Sequence, residues 1–132
     1  MTEQLISYET AKLAKEKDFD WMVRADYENG NLNPSSRLED WNNFHKELNI
    51  ISAPTQALLQ KWLRDEHGWH IILIPVVTMG YTFKIMKVWK KDFTVEGGLE
   101  LETPPYKEVH AWDYRDYEEA LENALVEVLK LL

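Results

Sequence analysis

The chain has 132 residues, 45% of them hydrophobic and 29% charged, and carries a formal net charge of −8 at pH 7. That length fits one domain, residues 1–132, large enough to fold without a metal or a disulfide, and the composition excludes a disordered tail, a collagen-like repeat and a low-complexity linker. Cysteine is absent, which excludes disulfides, zinc–thiolate sites and cysteine nucleophiles, while the acidic balance disfavours a general phosphate-binding surface.

The stretch Met1–Tyr8 is polar, with Glu3 in place of a basic cluster, and has neither the apolar region nor the small-residue site of a secretory signal. The first helical pattern follows, from Ser7 to Lys17. Ser7 is a suitable cap, Glu9 suits the positive end of the helix dipole, and Lys12, Lys15 and Lys17 lie toward the negative end. Ile6, Leu13 and Ala14, with Tyr8 and Ala11, make a thin apolar stripe, so a short and weakly docked helix is expected.

Residues 18–50 show no clean period. The clusters Asn29-Gly30-Asn31 and Asn33-Pro34-Ser35-Ser36 are turns, and the scattered Trp21, Met22, Trp41 and Phe44 predict ordered loop with short helix. A better-defined helix opens at Ser52-Ala53-Pro54-Thr55, with Ser52 as cap and Pro54 in the first turn. Leu58, Leu59, Trp62 and Leu63 form its buried face, and Gly68 stops it.

The period then changes from helical to alternating. His70–Val77 reads as a strand that Pro75 confines to an edge or a bulge, Thr78-Met79-Gly80 as a turn, and Tyr81–Trp89 as a second strand. The run Ile71–Met79 contains Pro75 and Thr78 and is about half the length of a membrane span. Phe93–Val95 and Leu99–Leu101 flank Gly97-Gly98 as a loose hairpin. Pro104-Pro105 closes that region, and Tyr106–Trp112 is a further short extended piece. Asp116, with Glu119 three residues on, opens a final helix whose stripe is Tyr117, Ala120, Leu121, Ala124, Leu125, Val128 and Leu132, widened by Leu129 and Leu131.

The expected fold is therefore α+β, an antiparallel sheet of three to four strands with helices on one face, in the order α, irregular, α, β, β, β, α.

Charge is uneven along the chain: residues 1–51 carry −4, residues 52–91 carry +4 and residues 92–132 carry −8. Nothing in it reads as catalytic machinery. G-x-S-x-G, H-E-x-x-H and Walker-type loops are absent, and Gly97-Gly98 lacks the helix and lysine of a phosphate cradle. His67 and His70 beside Asp65 and Glu66 lack the spacing of a metal site, and His45 and His110 stand alone without a nucleophile. Glu100 and Glu102 read as a charged strand edge rather than an acid–base pair. The expectation is a non-enzyme with no cofactor, no metal and no catalytic residues.

The basic run Lys84, Lys87, Lys90 and Lys91 is interleaved with Phe83, Trp89 and Phe93, as in single-strand binders, and helix–three strands–helix is the order of double-stranded-RNA-binding domains. That domain opens its last helix on basic residues. This chain has Asp113, Asp116, Glu118 and Glu119 there, so nucleic acid is disfavoured. Six Trp and six Tyr serve mostly as core, and Trp62 is assigned there. Others at element ends are available for contact with a ligand or partner. The candidate contact residues are Arg64, Trp69, Lys84, Lys87, Trp89, Trp112 and Tyr114.

Three stretches carry a family likeness: Ile6 to Lys17, Ser52 to His67 continuing into His70-Ile71, and Tyr117 to Glu122 with Leu125, Leu129 and Leu132. They resemble a family of small proteins encoded by phages and prophages of gut anaerobic bacteria. The resemblance implies the cytoplasm of a bacterial host and an accessory role for a phage, and it brings no reaction, catalytic residue or cofactor.

The leading expectation is a non-enzymatic binding module that contacts a host or phage protein. The alternative is a small-ligand binder, such as one that sequesters a nucleotide signal, using Arg64, Lys84, Lys87 and Lys90 beside Trp69 or Trp89. An acidic imitation of DNA would need Glu118, Glu119, Glu122 and Glu127 in one outward stripe with Asp113 and Asp116. No membrane partner is expected. Pairing of two copies through an edge strand or Leu131-Leu132 stays open.

Overall fold

The protein is described by a computed structural model covering residues 4–44, 49–76, 80–89 and 100–132; for Ser36, Phe44, Val88, Trp89 and residues 100–113 only the backbone is described. The α+β class stands, with four helices and two antiparallel sheets of three strands each among the described residues.

Helix α1 spans Tyr8–Glu16, and the Ser7 hydroxyl accepts from the Thr10 N–H at 3.2 Å as its cap. It is not weakly docked: Thr10, Ala11 and Ala14 are fully buried. Their small side chains let the backbone approach its neighbours closely, so a thin stripe still excludes water.

The aperiodic stretch after it is a small sheet rather than loop. Strands β1 (Val23–Glu28) and β2 (Asn31–Glu39) form a hairpin. Asn29 at φ +52° and Gly30 at φ +83° form its two-residue turn, and both positive values match the right-handed strand twist. Between Val23, paired with Glu39, and Ala25, paired with Pro34, the register jumps, so residues 35–38 form a bulge opposite Arg24. That bulge hides the period-2 pattern in the sequence. Strand β3 (Ile50–Ser52) pairs with the other side of β1, after the single turn α2 (Trp41–Phe44).

Polar side chains hold this region. The Asn42 side chain donates to the Phe19 carbonyl at 2.9 Å and accepts from the Ser52 N–H at 2.8 Å. The Ser52 hydroxyl in turn accepts from the Asn42 N–H at 3.1 Å. Trp41 Nε1 donates to the Val23 carbonyl at 3.0 Å. Backbone groups that regular structure leaves open are thereby paired.

These bonds correct the start of the next helix. Ser52 is committed to β3 and Asn42, so the N-cap of α3 (Gln56–His67) is Thr55, whose hydroxyl accepts from the Leu58 N–H at 3.1 Å. Pro54 precedes the cap, and its carbonyl accepts from the Ile6 N–H at 3.0 Å. Gly68 ends α3 at φ +72°, donating its N–H to the Arg64 carbonyl at 3.1 Å.

Strands β4 (Trp69–Val76), β5 (Gly80–Trp89) and β6 (Glu100–Tyr114) form the second sheet, in spatial order β4-β5-β6. Pro75 lies on an edge strand as expected. On the same strand, the Ile71 carbonyl accepts from the Gln60 side chain of α3 at 3.3 Å. Pro104-Pro105 does not end a strand. Met86 pairs with Tyr106 and Val88 with Leu101, so residues 102–105 bulge without partners on β5, where the missing proline N–H breaks no ladder bond. Tyr106–Trp112 is therefore the middle of β6. Thr78, Met79, Phe93–Val95 and Gly97-Gly98 lie outside the described residues.

Helix α4 (Tyr117–Lys130) buries Ala120, Leu121, Ala124, Leu125, Val128 and Leu129, the stripe read from sequence, while Tyr117 and Leu131 remain exposed. Asp116 occupies the N-cap position but makes no side-chain capping bond. Helix α4 lies against β4, β5 and β6 and touches α1 and α3. One core joins the layers: Val23, Ile50 and Ile51 from the first sheet, Ile71, Phe83 and Ile85 from the second, and Leu59, Trp62, Leu63, Leu125 and Val128 from the helices. A fully buried aliphatic side chain there contributes about 1.5–3 kcal/mol. No described helix is long and apolar enough to cross a membrane.

Candidate functional site

The chain segment before α1 runs beside the segment before α3. Leu5 bridges to Thr55, and the Gln56 N–H donates to the Gln4 carbonyl at 2.8 Å. This brings the N-termini of α1 and α3 against the first two turns of α4, with the Glu122 carboxylate between them. Its Oε2 accepts from the Ser7 N–H at 3.0 Å and from the Thr10 hydroxyl, and its Oε1 accepts from Gln56 Nε2 at 2.9 Å. Gln56 Nε2 also donates to the Glu118 carbonyl at 2.8 Å. In a capping box, a Glu or Gln at the third helical position reaches back to the cap N–H. That position in α1 is Thr10, and Glu122 supplies the carboxylate from another helix.

A cleft of about 560 Å³ opens over this junction. Its charged lining is acidic, comprising Asp116, Glu118, Glu119 and Glu122, and Tyr27 forms one wall. The Tyr27 hydroxyl donates to the Ile6 carbonyl at 2.7 Å. Burial, and then the nearby Glu122 charge, raises its pKa above the ordinary 10.0. The lining favours cationic over anionic groups, while Glu122 itself is engaged in holding the starts of α1 and α3 to the flank of α4. Among the described residues, no three His, Asp or Glu side chains are grouped to hold a metal.

The contact residues read from sequence are distributed over several surfaces. Arg64 lies in the last turn of α3, 3.7 Å from Asp65 and close enough to His70 to act on its charge. Trp69 begins β4 on the core rim, and Lys87, its register partner on β5, holds Nζ 5.4 Å from the ring centroid. These residues share one end of the sheet. Lys84 is three residues from Lys87 on the same strand and so projects from the opposite face. Tyr114 stacks on Phe83 with ring centroids 6.1 Å apart, and its hydroxyl pKa is raised by burial first, then by Glu127 and Glu119. The side chains of Trp89 and Trp112, and Lys90, Lys91, His45 and the side chain of His110, lie outside the described residues, as do those of Asp113, Glu100 and Glu102.

The two remaining histidines are half-buried at the turn between α3 and β4. His67 meets Trp62 edge-on at 4.7 Å, and Trp62 is core as expected. His70 is held below its ordinary pKa of 6.5 by burial first and then by Arg64, with Asp65 acting in the opposite sense.

The Glu122 junction is not legible in the sequence because its members stand far apart and each has a local explanation. Ser7 reads as a cap, Gln56 lies off the apolar stripe of Leu58, Leu59, Trp62 and Leu63, and Glu122 reads as part of an acidic face. Glu118 and Glu119 are exposed, but Glu122 turns inward and Glu127 is half-buried, so these four do not form one outward stripe. The one available signal was that Glu122 borders Leu121 and Leu125 on the buried stripe. Comparison of the chain with protein-family models, curated proteins and solved structures finds no match.

Proposed function

We propose that this chain is a non-enzymatic binding module, a phage- or prophage-type accessory protein that works in the bacterial cytoplasm by contacting a host or phage protein. The observation that carries this reading is the outer face of the β4–β5 ladder. Strand residues alternate between faces. Ile71, Leu73, Phe83 and Ile85 turn to the core, so His70, Ile72 and Ile74 share the opposite face with Thr82, Lys84 and Met86. Ile72 is 41% exposed there, and Ile74 and Met86 are half-buried. Aliphatic surface of this kind on a sheet is suited to burial by a partner protein.

The test pairs the native protein with Ile72→Asp, whose fold is first checked by circular dichroism and urea unfolding. Both are tagged and used to capture proteins from phage-infected cells. The reading expects a protein retained by the native chain and lost from the variant. Equal retention by both, or none by either, overturns the role of this face.

A second reading, binding of a small anionic ligand such as a nucleotide, draws on Trp69 with Lys87 over its ring. Native mass spectrometry of protein purified gently from its host separates the two. A small adduct that survives washing favours the ligand, and a clean apo species with a co-purifying protein favours the partner.

A further inference from the structure

We draw no further inference here: the strongest candidate, the acidic cleft between the segment before α1 and the first turns of α4, carries nothing because its inward carboxylate, Glu122, is already engaged by Ser7, Thr10 and Gln56 and no second observation points to a ligand.

Discussion

Gln56 and Glu122, 66 positions apart in sequence, are joined by a hydrogen bond of 2.9 Å from the Gln56 side-chain amide to the Glu122 carboxylate. Gln56 is buried at the first position of α3, and Glu122 is half-buried on the second turn of α4. The same carboxylate takes the Ser7 N–H and the Thr10 hydroxyl, so one side chain ties the starts of two helices to the flank of a third. Removing it would leave one N–H of the buried Gln56 amide without its acceptor, while the Gln56 bond to the Glu118 carbonyl stays and the Thr10 hydroxyl still has Ser7 Oγ at 3.0 Å.

Glu122→Ala is accordingly expected to destabilise the protein by about 1–2 kcal/mol, the range for leaving one buried polar group unpaired. Glu122→Gln, which keeps one carbonyl acceptor, should lose roughly half of that. Urea unfolding with a common m-value measures both. Wild-type midpoints for both variants would show that the junction is a consequence of packing and contributes little to stability.

Gly80 and Gly30 both have positive φ, +103° and +83°, but their surroundings differ. A Cβ at Gly80 would stand 1.9 Å from the Tyr114 carbonyl oxygen, backbone that cannot step aside without moving the end of β6. At Gly30 the nearest atom is the edge of the Tyr8 ring at 3.7 Å, an ordinary contact. Gly30→Ala should therefore cost about 1 kcal/mol through backbone strain alone. Gly80→Ala should cost about 3 kcal/mol or more, because strain and overpacking add. Thermal unfolding that ranks the two in the reverse order would contradict the β5–β6 geometry.

The start of α3 separates two hydroxyls that sequence rules treat alike. Thr55→Ala removes the bond to the Leu58 N–H, and a lost cap costs about 1 kcal/mol. Ser52→Ala removes the acceptor of the Asn42 N–H and leaves the first turn of α3 intact. Hydrogen exchange is expected to show Leu58 losing protection in the Thr55 variant, while the Ser52 variant loosens Asn42 instead. Faster exchange at Leu58 in the Ser52 variant alone would restore Ser52 as the cap.

The lowered pKa of His70 implies a pH dependence of definite sign. The unfolded chain, with His70 near its ordinary value of 6.5, binds the proton more tightly than the folded chain does. The stability that neutral His70 contributes is complete above that value and is lost as pH falls through the lowered folded pKa. Urea midpoints of the native protein should therefore decline with acidification through this window, and His70→Gln should decline less. Equal slopes would assign the effect to other groups.

Features governed by near neighbours are legible in the sequence. The stripe from Ala120 to Leu129 specifies α4 because every turn of the helix repeats the same demand for burial. Gly68 ends α3 and Ser7 begins α1 because left-handed backbone and an unpaired N–H are local problems with local solutions. Asn29-Gly30 specifies the tight turn of a hairpin, while the irregularity at residues 35–38 obscures the alternation of the strands on either side.

What the sequence by itself determined is thus the class of the fold, the three long helices, and the second sheet as far as its first two strands. Only the tertiary structure decided that Val23–Glu28, Asn31–Glu39 and Ile50–Ser52 build a sheet of their own, that Thr55 rather than Ser52 caps α3, and that β6 runs through Pro104-Pro105. Tertiary structure also brought Ser7, Thr10, Gln56 and Glu122 together. The physical reason is common to all of these. Each turns on which partner satisfies a particular backbone or polar group, and that partner lies far along the chain, beyond the reach of any local period.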